Sequence, residues 1–157
     1  MPTRTISSFV VLVLGTILGA RAASAHCQVP CGIFSDHARV EQLREDLTTI
    51  RKAVTELAAL AGKRDVQSQQ QFVRWVMTKE QHAERAMRIV ADYFLAQKVK
   101  LPPPGDKKAQ ADYVERLARH HAVLVAAMKT KQSSAQAEVT ALGKAIDGIA
   151  GYWPPGK

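Results

Sequence analysis

At 157 residues, 46% of them hydrophobic and 6% aromatic, the chain has material for one compact domain and not for two. Its 23% charged residues beside abundant aliphatics exclude a disordered chain, and two cysteines are too few for a disulfide-built miniprotein or a four-thiolate metal site. The formal charge of +8 comes with no zinc finger, recognition helix or aromatic-rich basic strand, so it reads as a basic surface open to small anions and not as a nucleic-acid footprint.

Residues 1–25 read as a signal peptide. Arg4 precedes a 12-residue apolar run from Phe9 to Ala20, and Ala23-Ser24-Ala25 supplies the small residues a signal peptidase accepts. A membrane-spanning helix needs about 20 apolar residues, so no stable membrane anchor is expected. His26 is too bulky to precede a lipid-modified Cys27. Cleavage after Ala25 removes two of the 22 basic residues and none of the 14 acidic ones, which leaves an exported chain, secreted or periplasmic, with a charge of +6.

Residues 26–34, His-Cys-Gln-Val-Pro-Cys-Gly-Ile-Phe, then form the new N-terminus. A free α-amine, the backbone nitrogen of Cys27 and the thiolates of Cys27 and Cys31 can close around one ion in a plane, with the His26 imidazole above it. A mixed nitrogen and thiolate plane suits Ni(II) or Cu(II), whereas zinc prefers a tetrahedron. Pro30 blocks a helix and Gly32 permits a tight turn, so this segment is expected to be a metal-binding hook. On spacing alone, a small Cys27–Cys31 disulfide in an oxidising compartment competes with that reading.

Residues 35–157 carry four helical stripes. Val40, Leu43, Leu47, Ile50, Val54, Leu57 and Ala61 alternate steps of three and four, with Ser35 or Asp36 as cap and Gly62 as terminator. A second helix, roughly Val66 to Lys100, has Phe72, Val76, Ala83, Met87, Val90 and Phe94 on one face and stops at Pro102-Pro103-Pro104-Gly105. The third, about Asp106 to Lys131, places Val114, Leu117, His121, Leu124 and Met128 in its seam, with His121 as a core or interface histidine. A fourth carries Ala135, Val139, Leu142, Ile146 and Ile149, and Tyr152-Trp153 are expected to cover one end of the core. Such stripes can be buried only against one another, which predicts an all-α, antiparallel up-and-down four-helix bundle with an N-terminal metal-binding hook. The Glu-x-x-His pairs of a di-iron site are missing.

The hook resembles the start of the mature nickel superoxide dismutases, His-Cys-x-x-Pro-Cys-Gly-x-Tyr, matched here by His26, Cys27, Pro30, Cys31 and Gly32. Ala38-Arg39-Val40-Glu41, Lys79-Glu80-Gln81 and Asp92-Tyr93-Phe94 are similar to further family segments, whereas the last two helices share only the pattern. The resemblance implies a nickel ion on the His26 amine, the Cys27 amide nitrogen and both thiolates, with the His26 ring axial. It also implies Glu41 as the acceptor holding that ring, Tyr93 approaching the pocket, superoxide as the substrate, and a homohexamer. By themselves, Glu41 reads as a solvated acid near a helix start and Tyr93 as an amphipathic residue at a helix interface.

Three departures stand out. Phe34 replaces the usual tyrosine, which removes a hydroxyl facing the metal. His82 stands where the family has arginine near the acid that holds the axial ring, and the linker into the first helix is one residue shorter. The alternatives are a nickel- or copper-binding carrier or sensor with little turnover, favoured by Phe34, and a structural helical module with a Cys27–Cys31 disulfide.

Overall fold

The computed structural model describes residues 35–156. They form α1 (Asp36–Leu60), α2 (Val66–Arg88), α3 (Lys107–Gln132) and α4 (Gln136–Ala150), and a π-helical segment of 10 residues, Ile89–Lys98, continues α2. No strand occurs among the described residues. Asp65 and Asp106 start α2 and α3 by accepting the backbone N–H groups of Ser68 and Ala109, both at 2.9 Å. After α1 the chain turns through Gly62 at φ 82°, a left-handed conformation that a Cβ would strain.

Each helix packs on two neighbours, α1 on α2 and α4, and α3 on α2 and α4. The result is an all-α four-helix bundle whose short connections fit up-and-down packing. Leu43, Ile50, Phe94, Val123, Leu142, Ile146 and Ile149 are buried at its centre. Trp153, following α4, closes one end by stacking on Phe94 with ring centroids 4.9 Å apart.

The third seam differs from the expected one. His120, not His121, is buried, while Val114 is 53% and Met128 39% exposed. The buried face of α3 runs through His120, Val123, Ala126, Ala127 and Thr130, so it is centred on small and polar residues. His120 belongs there because both ring nitrogens find partners; large apolar side chains misplace the centre of a face built this way.

Phe72 was expected in the core and is 38% exposed, beside exposed Val66, Val73 and Met77. Helix length explains it. The 25 residues of α1 span about 37 Å and the 15 of α4 about 22 Å. Lys79 meets the end of α3 at Thr130, Lys131 and Ser133, so the turns of α2 before Lys79 extend past the end of α3. Those first turns have α1 to pack on but no end of α3 beside them.

The second helix also changes type. From Ile89 it winds with i to i+5 bonding, and the Val99 N–H closes the segment on Phe94 O at 2.9 Å. Wider turns shift the buried spacing to Ile89, Val90, Phe94 and Val99. Isolated π turns are uncommon and often lie at functional sites.

Candidate functional site

Of the residues singled out from the sequence, His26, Cys27, Cys31 and Phe34 lie outside the described residues, as do the signal peptide, the hook and its shortened linker. Among the described residues no group of three or more His, Cys, Asp or Glu side chains is placed to hold a metal ion. The described residues begin at Ser35, and around the start of α1 they bring together the π-helical segment and the chain after α4.

Ser35 is the first described residue and precedes α1 without a side-chain capping bond. Asp36 does not cap the helix either. Its carboxylate accepts the Tyr93 hydroxyl at 2.5 Å and lies 2.8 Å from Lys98 Nζ. Both partners come from the π-helical segment, which thereby ties α2 to the start of α1. Two cations flank the Tyr93 ring: Arg39 Cζ is 5.5 Å and Lys98 Nζ 5.7 Å from its centroid. Tyr93 is half-buried, and its edge meets Phe94 at 5.3 Å.

Beside this cluster, His37 donates its Nδ1–H to the Trp153 carbonyl at 3.2 Å, and its Nε2 lies 3.6 Å from Glu41 Oε1. Glu41 is exposed and accepts from Arg44 at 2.6 Å, which raises the Arg44 pKa. Arg44 also reaches Asp147 of α4 at 3.4 Å. His82 does not join Glu41 among the described contacts. Its Nδ1 sits 2.7 Å from Asp46 Oδ1, an oxygen that also accepts from Arg85 Nε at 2.7 Å. That hydrogen bond raises the Arg85 pKa. Asp46 is fully buried, and its Oδ2 has no partner among the described residues.

Behind Trp153 lies the buried His120. Because a carbonyl can only accept, the 2.7 Å contact between His120 Nδ1 and Arg116 O fixes the proton on Nδ1. Nε2 is therefore the acceptor for the Trp153 indole N–H at 3.2 Å. Burial lowers the His120 pKa and keeps this neutral form.

The structure thus brings Tyr93 to the start of α1, sets Glu41 about one turn further along that helix, and places His82 with a different acid. Asp36, Lys98, Asp46 and Arg85 carry much of this geometry and had no motif to mark them. For Asp36 and Lys98 the one available signal was closeness in sequence to the hook and to Tyr93.

The donor types of residues 26–31 are read from the sequence alone. An imidazole, backbone amides and two cysteine thiols within six positions are donor types that suit nickel or copper. No curated protein and no solved structure matches the chain. The family model described as nickel-containing superoxide dismutase matches residues 21–157, a stretch that includes His26, Cys27 and Cys31 together with the whole bundle.

Proposed function

We propose, from the premise that the chain belongs to the nickel-containing superoxide dismutase family, that it disproportionates superoxide to oxygen and hydrogen peroxide. The observation that carries this reading is the family match across the donor residues as well as the bundle. His26, through its amine and ring, the Cys27 amide and the thiolates of Cys27 and Cys31 are the proposed nickel ligands. Bound nickel supplies a one-electron couple between Ni(II) and Ni(III), which anionic sulfur and amide donors bring into the range of superoxide.

The remaining roles belong to side chains. Arg39 and Lys98, both beside the Tyr93 ring, provide positive potential that draws a small anion toward the hook root. Tyr93 is proposed to face the substrate, and its Oη proton is held by Asp36 Oδ1, so a proton can be lent and recovered there. Glu41 is the proposed acceptor for the His26 ring. His82 steadies Asp46 between α1 and α2, which leaves Glu41 to His37 and Arg44 among the described contacts. Phe34 keeps the shape of the missing tyrosine without its polarity.

Export follows from the Phe9–Ala20 run and Ala23-Ser24-Ala25, with residues 1–25 removed by signal peptidase and the mature protein secreted or periplasmic. Among the described residues no helix is long and apolar enough to cross a membrane. A homohexamer is the proposed assembly, as the family implies.

The test is metal analysis and a superoxide-decay assay on protein shown by mass spectrometry to begin at His26, before and after nickel loading. One nickel per chain with fast decay is expected. Nickel bound without decay would favour the carrier or sensor reading that Phe34 suggests, and no nickel would overturn the dismutase and leave the structural helical module with a Cys27–Cys31 disulfide.

A further inference from the structure

We propose that Tyr93, Trp153 and Tyr152 form a one-electron escape route that carries oxidising equivalents from the hook root to the protein surface and spares Cys27 and Cys31. The inference rests on the dismutase reading only for the origin of the oxidant, because peroxide-forming chemistry beside two thiolates exposes them to irreversible oxidation.

Geometry supplies the path. The chain has three tyrosines and two tryptophans, and three of these five oxidisable rings lie in one connected stack. Tyr93 contacts Phe94 at 5.3 Å, and Phe94 stacks on Trp153 at 4.9 Å. Trp153 meets His120 at 5.8 Å, and His120 stacks on Tyr152 at 6.2 Å. The stack begins at Asp36, five positions after Cys31, and ends under Arg116 and Arg119 at the edge of the bundle.

Chemistry supplies the second argument. Losing an electron makes a phenol or an indole strongly acidic, so a usable relay ring needs a base on its O–H or N–H. The Tyr93 hydroxyl donates to the Asp36 carboxylate at 2.5 Å. The Trp153 N–H donates to His120 Nε2, a nitrogen held unprotonated by the opposite Nδ1–H bond to Arg116 O. Packing alone requires neither pairing to be with a base.

The steps balance one electron at a time. A small radical of the hydroxyl or carbonate class takes an electron from Tyr93 and leaves as its anion, while the phenolic proton moves to Asp36. Trp153 then reduces the tyrosyl radical through the intervening Phe94. Asp36 returns its proton to Tyr93, and the indole proton passes to His120 Nε2. Tyr152 next reduces the indolyl radical; His120 hands the proton back to Trp153, and the Tyr152 phenolic proton is lost to water. A diffusible thiol restores Tyr152 by giving one electron and one proton.

The experiment supplies carbonate radical from outside to the mature protein and its variants in a Trp75→Phe background, so that Trp153 is the one indole. Transient absorption follows the radicals and peptide mapping locates the products. In the parent, an indolyl signal should decay into a tyrosyl signal, with stable oxidation concentrated at Tyr152. Tyr152→Phe should prolong the indolyl signal and move the damage to Trp153; Trp153→Phe should move it to Tyr93, Cys27 and Cys31. Should Trp153→Phe fail to fold, Tyr152→Phe at the half-buried edge decides. An unchanged indolyl lifetime and product map in Tyr152→Phe would overturn the proposal. Because the radical is supplied externally, that failure is distinguishable from a failure of nickel binding or turnover.

Discussion

His120 is held in one protonation state by its surroundings. Its folded pKa lies below the free value of about 6.5, so below that pH the unfolded chain binds more protons than the folded one. The stability due to the neutral ring is complete above about pH 6.5 and is lost as pH falls through the folded pKa. Protonation also removes the acceptor of the Trp153 N–H. His120→Phe is expected to cost about 1–3 kcal/mol by orphaning that N–H and to flatten the acid limb of a denaturation series across pH. An unchanged acid limb would mean that another group sets it. Asp46 is the counterpart on the opposite seam, a buried carboxylate that keeps His82 and Arg85 on one oxygen.

At the scale of elements, the end of α3 depends on a side chain of α2. Lys79 is buried, and its Nζ donates to the carbonyls of Thr130, Lys131 and Ser133 at 2.5, 2.8 and 3.1 Å. These are the carbonyls that a helix C-terminus leaves unpaired, and a cation there also complements the helix dipole. Lys79→Met keeps much of the stem and removes the charge, so a loss of about 2–3 kcal/mol is expected in urea denaturation. Amide exchange should quicken first in residues 128–133. The helices themselves were legible from the three-four spacing of their apolar residues, and Gly62 and the Pro102–Pro104 run marked two of the turns. The α-to-π change at Ile89 was not legible. It widens each hydrogen-bonded loop by one residue without altering composition, and it lies where Tyr93 and Lys98 both reach Asp36.

For the whole molecule, the position of the N-terminus governs the proposed chemistry. An extra Ala25 would move the free amine out of the five-membered chelate with the Cys27 amide, so nickel affinity and dismutase activity should both collapse in an Ala25-extended protein. Full activity of that protein would refute the ligand set. The helicity of the bundle should be unaffected, since the four helices are held together by a core that includes Leu43, Ile50, Phe94, Val123, Leu142 and Ile146. In sedimentation, the nickel-loaded protein is expected to run as a hexamer, and a monomer would remove the assembly implied by the family. The first turns of α2, with Val66, Val73 and Met77 exposed, extend beyond the end of α3 in the single chain.

The sequence by itself determined the helical class, the order of the helices and most of the buried seam, because periodicity is a local property of neighbouring residues, and it is the sole source of the proposed donor set at residues 26–31. Only the tertiary structure decided that His120 and not His121 enters the core, that His82 pairs with Asp46, and that Tyr93 meets Asp36 at the start of α1. Those outcomes depend on which polar atoms find partners across helices, and on where a short α4 and the end of α3 leave α2 uncovered. Spacing along one helix carries no record of either.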